Sequence, residues 1–237
     1  ETVLEINLNA VVHNLNYYRA RVRPGTKLMA MVKAFSYGSG SFEIANILQF
    51  HHVDYLAVAY ADEGVELRKA GIGLPVMVMN QDEQGFETML NHNLEPEIYS
   101  FRVLGQFIEV ARGHHGSGIP IHLKIDTGMR RLGFEKKDIN ELIVRLKNNR
   151  QIRVMSVFSH LAASDEKQHD EFTRQQMVCF REICDNITVH FDYPVLRHIL
   201  NSSGIIRFPE GQMDMVRLGI GLYGIAATEH EQSQLQP

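Results

Sequence analysis

Lys33 stands where an apolar run, Leu28-Met29-Ala30-Met31-Val32, empties into Ala34-Phe35-Ser36-Tyr37-Gly38-Ser39-Gly40. Burial among apolar neighbours disfavours an ammonium, so a lysine at the end of a buried strand can become a neutral, nucleophilic amine. Such an amine is what holds an aldehyde cofactor as a Schiff base. The same segment also fits a plain surface lysine capping a strand, and on its own it does not choose between them.

Other polar groups follow apolar runs in the same way. Asn80 follows one, and Lys124, Asp126 and Arg131 follow another. His160 follows a third; Asn201, Ser202 and Ser203 a fourth; Arg217, Gly219 and Ile220 the last. Taken alone, His160 fits a structural histidine, and Lys124 with Asp126 fits an ordinary ion pair. If the runs are parallel strands, all these groups meet on one rim.

The elements that must position them are legible as an alternation. Eight short apolar runs recur: Lys27–Lys33, Tyr55–Ala59, Val76–Met79, Glu97–Tyr99, Ile121–Ile125, Arg153–Phe158, Leu196–Leu200 and Met213–Arg217. Near-continuous apolarity marks strands covered on both faces. Helical patterns lie between them, at Ala10–Arg21, Phe42–Phe50, Ala61–Ala70, Phe101–Arg112, Asp138–Asn148 and His169–Asn186. The alternation predicts an α/β fold, a parallel (β/α)8 TIM barrel over residues 9–225, with an open doubly wound sheet as the alternative. In a barrel the carboxyl ends of the strands carry the functional residues. Val3–Leu8 reads as a ninth strand with no place in an eight-stranded barrel, so residues 1–8 are expected to belong to another domain. Asn9 is expected to cap the first helix. Residues 226–237 read as the start of a linker, with the eighth helix missing.

Composition narrows the function classes. The 237 residues carry a net charge of −4, which gives no global attraction for nucleic acid or anionic membrane. No apolar stretch approaches the roughly 20 residues of a membrane span. Cys179 and Cys184 lack partners at metal-ligand spacing and read as reduced thiols of a cytoplasmic protein. No metal site is expected.

The string Gly219-Ile220-Gly221-Leu222-Tyr223-Gly224 has the spacing of a dinucleotide fingerprint. That motif needs a following helix, a second strand and a later acid, and the remaining residues are too few. The glycines still suit phosphate, since loops after strands seven and eight of a barrel often bind it. Lys33, a phosphate site across the mouth and an arginine between them match pyridoxal phosphate.

Five segments carry a family resemblance: residues 4–10 with His13 and Asn14, VKAFSYGSG at 32–40, HLKIDTGMRRLGF at 122–134, FSHLAASDE at 158–166, and NSSGIIRFPEG with DMVRLGIGLYGI across 201–225. They resemble the barrel domain of the alanine racemases, fold-type III pyridoxal-phosphate enzymes. The resemblance implies interconversion of L- and D-alanine for peptidoglycan synthesis by a cytoplasmic homodimer. It implies that Lys33, Arg131 and His160 are catalytic. Lys33 holds the cofactor and acts as one base, while Arg131 contacts the cofactor and orients the substrate carboxylate. Tyr37, Ser202 and the backbone of Gly219 and Ile220 hold the phosphate. His160 lies beside the pyridine ring and bonds to Arg217, which faces the ring nitrogen. An arginine does not readily give up its proton, so that nitrogen stays unprotonated and racemisation is favoured over transamination. Lys124 matches a position that is carbamylated in some members.

The chain departs from the family pattern beside the site. Phe35 and Ser36 replace the usual Asn-Ala, Ser39 a histidine and Arg130 a glycine. In the family a second base and a further phosphate ligand are tyrosines of a C-terminal β-domain, the base coming from the partner subunit. Neither is encoded here, so this chain alone is expected to bind cofactor and racemise poorly. The absent initiator methionine fits a piece of a fusion behind the ligase that adds D-alanyl-D-alanine. The competing readings are a non-catalytic single-barrel pyridoxal-phosphate carrier and a racemase for another amino acid.

Overall fold

The computed structural model describes residues 2–80, 82–114, 116–147 and 149–237. Eight parallel strands alternate with helices: β1 Lys27–Met31, β2 Tyr55–Val58, β3 Val76–Val78, β4 Glu95–Ile98, β5 Ile119–Lys124, β6 Ile152–Phe158, β7 Leu196–His198 and β8 Met215–Leu218. They pair in the order β7-β6-β5-β4-β3-β2-β1-β8, so the first strand lies beside the last. The ring closes where the Asp214 N–H donates to the Arg197 carbonyl (3.1 Å) and the Arg217 N–H to that of Leu200 (3.0 Å). This is the barrel the sequence predicts.

The outer layer comprises α1 Leu8–Arg19, α2 Ser41–Phe50, α3 Ala61–Lys69, α4 Phe86–Asn91, α5 Phe101–Arg112, α6 Ile139–Lys147, α7 Asp170–Thr188, α8 Ser202–Arg207 and α9 Glu229–Gln232. The large core lies between these helices and the outer faces of the strands, with Leu56, Val76, Phe107, Leu123 and Phe180 almost fully buried. α5 shows how local chemistry sets an element. Ser100 caps it by accepting from the Val103 N–H, and its apolar stripe Val103, Leu104, Phe107 and Ala111 is buried.

The barrel interior is a second, separate layer, filled by alternate residues of each strand. On the β1–β3 side and on neighbouring β8 it is apolar: Met29, Met31, Tyr55, Ala57, Met77 and Met215 cluster there with Phe158 of β6. On the β4–β8 side the interior is polar, with Glu97, His122, Lys124, Ser156, His198 and Arg217 buried.

Two expectations are corrected. Val3–Leu8 is not a strand: Leu8 opens α1, and Val3 and Leu4 are 70% and 75% exposed. Among the described residues no strand pairs with them, and a strand needs a neighbour to satisfy its backbone. The first cap is Asn7 instead of Asn9, its side chain accepting from the Asn9 N–H at 3.0 Å. A short helix, α9, lies within residues 226–237. Glu1 and Asn148, the outer ends of two expected elements, lie outside the described residues.

Candidate active site

β1 stops at Met31, and Lys33 opens a turn of the opposite hand to every other helix. Ala34, Phe35, Ser36 and Tyr37 all hold φ between 52° and 55°. Left-handed helix costs L-residues roughly 1–2 kcal/mol each, so neighbouring groups must hold the turn. The Gly38 N–H donates to the Ala34 carbonyl (3.0 Å) and the Gly40 N–H to that of Phe35 (3.1 Å). Glu63, from α3, accepts from the Ala34 N–H through Oε1 and from the Ala59 N–H through Oε2, both at 2.6 Å. The Tyr37 ring packs on that of Tyr223 (centroids 4.7 Å), whose hydroxyl donates to the Met31 carbonyl at 2.9 Å. Lys33 is thereby held half-buried at the carboxyl end of the barrel.

There it lines a cavity of about 480 Å³ together with Tyr37, Arg131, His160, Ser202 and Arg217, and with Gly219 and Ile220. The residues to which the resemblance gives catalytic or cofactor-binding roles therefore line one cavity. Asn80, Lys124 and Asp126 do not line it. Tyr18, Met31, Met79 and Asp165 do, and sequence reading passed over them.

Arg217 rises from β8 and is almost fully buried. Its Nη1 donates to His198 Nδ1 (2.8 Å) and the His198 carbonyl (3.3 Å), and its Nη2 to the carbonyls of Ser159 (2.7 Å) and Ile199 (3.1 Å). Nη2 also stands 3.3 Å from His160 Nδ1, the contact the resemblance implies. Burial lowers the guanidinium to about 10, against the attraction of Glu97. Burial and the cations Arg217, Lys124, Arg131 and Lys33 push His160 down to about 3, so it is a neutral imidazole at physiological pH.

Ser202 opens α8. Its Oγ accepts from the N–H groups of Gly219 (2.9 Å) and Gly221 (3.3 Å), which leaves the hydroxyl hydrogen to donate. The Gly219 N–H is thus engaged with Ser202, and what Gly219 gives the cavity is its missing side chain. A Cβ there would stand 3.4 Å from the Tyr37 hydroxyl and from Met31 Cγ. A primary amine, a hydroxyl donor, an open backbone cradle and two guanidinium groups suit a ligand that joins an aldehyde to an anion. Pyridoxal phosphate fits that set.

Beneath this site, Lys124 on β5 pairs with Glu97 on β4 at 3.3 Å, both almost fully buried. This corrects the pairing of Lys124 with Asp126. Asp126 instead accepts from the N–H groups of Gly128 (2.8 Å) and Arg130 (3.1 Å), shaping the loop that carries Arg131. Arg130 holds φ +56° where the family has glycine.

The model of the family described as alanine racemase, N-terminal domain, matches residues 6–227. The chain belongs to this family. It is 36% identical over 223 residues to an alanine racemase of Clostridium tetani, a match covering 93% of this chain and 57% of that protein. It is similar to the crystal structure of alanine racemase from D-cycloserine-producing Streptomyces lavendulae, with a TM-score of 0.92, 31% identity, and coverage of 100% of this chain and 64% of that one. The alanine racemase of Bartonella henselae, solved with covalently bound pyridoxal phosphate, shares the fold at a TM-score of 0.81 and 24% identity, over 94% of this chain and 60% of that one. The chain thus spans less than two thirds of these racemases. No described helix is long and apolar enough to cross a membrane.

Proposed function

We propose that this chain is the cofactor- and substrate-holding barrel of a cytoplasmic, homodimeric alanine racemase that supplies D-alanine for peptidoglycan. The observation that carries the reading is the meeting of Lys33, Arg131, Arg217 and Ser202 on one cavity, in a chain of the alanine racemase family. Pyridoxal phosphate, when bound, supplies an electron-withdrawing ring that acidifies the α-proton of an attached amino acid.

The chain's own residues do the rest. The Lys33 amine holds the cofactor and moves a proton at the α-carbon on its own face. Arg131 holds the substrate carboxylate with its forked donors. The Ser202 hydroxyl, the Tyr37 hydroxyl and the backbone of Ile220 hold the phosphate, in the space the missing side chain of Gly219 leaves open. Arg217, pinned by five contacts to β6 and β7 and the segments after them, faces the ring nitrogen as a donor that keeps its proton. His160, held neutral, fills the space beside the ring and adds no competing positive charge. Racemisation also needs an acid–base group on the opposite face of the α-carbon. That group comes from polypeptide beyond these 237 residues, in the same or the partner subunit.

The test is the visible absorption of the purified chain with added pyridoxal phosphate, before and after borohydride, beside Lys33→Ala. A band that borohydride fixes to Lys33, without alanine racemisation by this chain alone, is the expected result. Absence of the band, or a band unchanged in Lys33→Ala, overturns the assignment of Lys33. Rapid racemisation by the chain alone overturns the need for a second base from elsewhere.

A further inference from the structure

A line of hydrogen bonds crosses the polar half of the barrel interior, from the cavity to the opposite end. Arg217 Nη1 donates to His198 Nδ1 at 2.8 Å. His198 Nε2 lies 2.9 Å from Ser156 Oγ, and Ser156 Oγ lies 2.7 Å from His122 Nδ1. His122 Nε2 lies 2.7 Å from Oε2 of Glu95, the first residue of β4. His122, Ser156 and His198 are fully buried. The line steps across strands β8, β7, β6, β5 and β4 in order.

For neutral rings, the chemistry of the two ends fixes every proton between them. A guanidinium only donates and a carboxylate only accepts. Glu95 therefore requires the His122 proton on Nε2, which makes Nδ1 an acceptor. Ser156 must then give its hydroxyl hydrogen to His122, so its oxygen accepts from His198 Nε2–H. That leaves His198 Nδ1 unprotonated, as Arg217 requires. With neutral rings the four bonds have one consistent direction, each ring carrying its proton on Nε2. An added proton on His198 would set donor against donor at Arg217 Nη1. Tyr55, edge-on to His122 with ring centroids 5.8 Å apart, also hydrogen-bonds Glu95.

We propose that Glu95, at the far end of the barrel from the cavity, is a positioning residue for Arg217: through His122 and Ser156 it reinforces the His198 tautomer that accepts from the guanidinium. Without a pure acceptor at the Glu95 position the line can reverse, and a reversed line puts His198 Nδ1–H against Arg217 Nη1. The guanidinium then loses its shortest bond to a side chain, and its seat beneath the cavity loosens. The relay is a property of the barrel itself. It lies under the cofactor site proposed above, but its protons are set whatever the cavity binds.

The test is nitrogen-15 NMR of the histidine rings and arginine side chains near neutral pH, in the protein without cofactor, beside Glu95→Gln. The variant keeps size and shape but offers a donor as well as an acceptor. In the native protein His198 and His122 are expected to show the well-separated nitrogen shifts of neutral rings protonated on Nε2. In Glu95→Gln, His198 is expected to lose that single tautomer and the Arg217 signals to shift, while the backbone amide spectrum elsewhere is retained. A native His198 that is protonated on Nδ1 or doubly protonated overturns the proposal. So does an unchanged His198 in Glu95→Gln. Should that variant fail to fold, Ser156→Ala cuts the line between the same two rings, and retention of the native His198 tautomer there also overturns it. No outcome depends on binding of pyridoxal phosphate, so failure of the cavity to bind it leaves this test intact.

Discussion

Lys124 Nζ lies 3.3 Å from Glu97 Oε1, on neighbouring strands inside the barrel, with side chains only 5% and 1% exposed. Burial pushes the Glu97 carboxyl up and the Lys124 ammonium down, each opposed first by the other's charge. Attraction inside a barrel repays desolvation only while both partners are present. Glu97→Ala is therefore expected to destabilise the protein by about 3–5 kcal/mol. The double variant Glu97→Leu with Lys124→Met is expected to recover most of that loss. Urea unfolding of the three proteins measures both, and a harmless Glu97→Ala would show that the pair does not balance a buried charge.

His160 predicts an acid limit. Its ordinary value of 6.5 is lowered to about 3 by burial and then by Arg217 and the other cations. Above 6.5 the ring is neutral in both folded and unfolded chains and stability is independent of it. Below 6.5 the unfolded chain takes up a proton that the fold refuses. Stability is then lost as pH falls toward 3, at about 1.4 kcal/mol per pH unit for each such histidine. His198, held well below its ordinary value by burial and by Arg217, adds to the slope. His160→Gln should flatten the profile in this window. An equally steep profile would place the proton uptake elsewhere.

The loop carrying Arg131 depends on Gly133. It holds φ +135°, and a Cβ there would meet the Asp126 nitrogen at 2.5 Å. Close approach lets the Phe134 N–H reach the Lys124 carbonyl, and the Asp126 N–H reach that of Phe134, both at 2.9 Å. Gly133→Ala is expected to cost about 2–3 kcal/mol through strain and overlap. Gly105→Ala, on the α5 helix with nothing within 4 Å of the new methyl, should instead stabilise by about 0.5–1 kcal/mol. Thermal unfolding of the pair separates a steric requirement from a general effect of glycine replacement.

Phe35 is 65% exposed and held at φ +53°. Replacing it by glycine removes a strained residue and little buried surface. Phe35→Gly is expected to raise stability by about 1 kcal/mol. A fall in stability would mean that the ring holds the turn from outside.

Strands and helices were largely legible because strands covered on both faces read as apolar runs and the helices between them have apolar stripes. Glu95-Pro96-Glu97 hid the start of β4: two acids around a proline do not read as a central strand, although both acids face inward. The signal for them was their spacing of two, matched by His122 and Lys124 on β5. The site residues were legible by type and place, since Lys33, His160, Ser202 and Arg217 each follow or end an apolar run. The left-handed turn was not, because Ala34–Tyr37 contains no glycine and its hand is imposed by Glu63, Tyr223 and the backbone around it. Val3–Leu8 has the alternation of a strand, but alternation does not provide an edge to pair with.

β1 and β8 are neighbours in the ring, with Met29 opposite Arg217. A nascent chain leaving the ribosome thus exposes the Lys33 amine early, while the seat of Arg217 and the Ser202 hydroxyl arrive with the last quarter of the sequence. Until β8 slots between β1 and β7 there is no cradle to bring a reactive aldehyde to that amine. The cavity beside Lys33 is therefore complete only once β8 has taken its place.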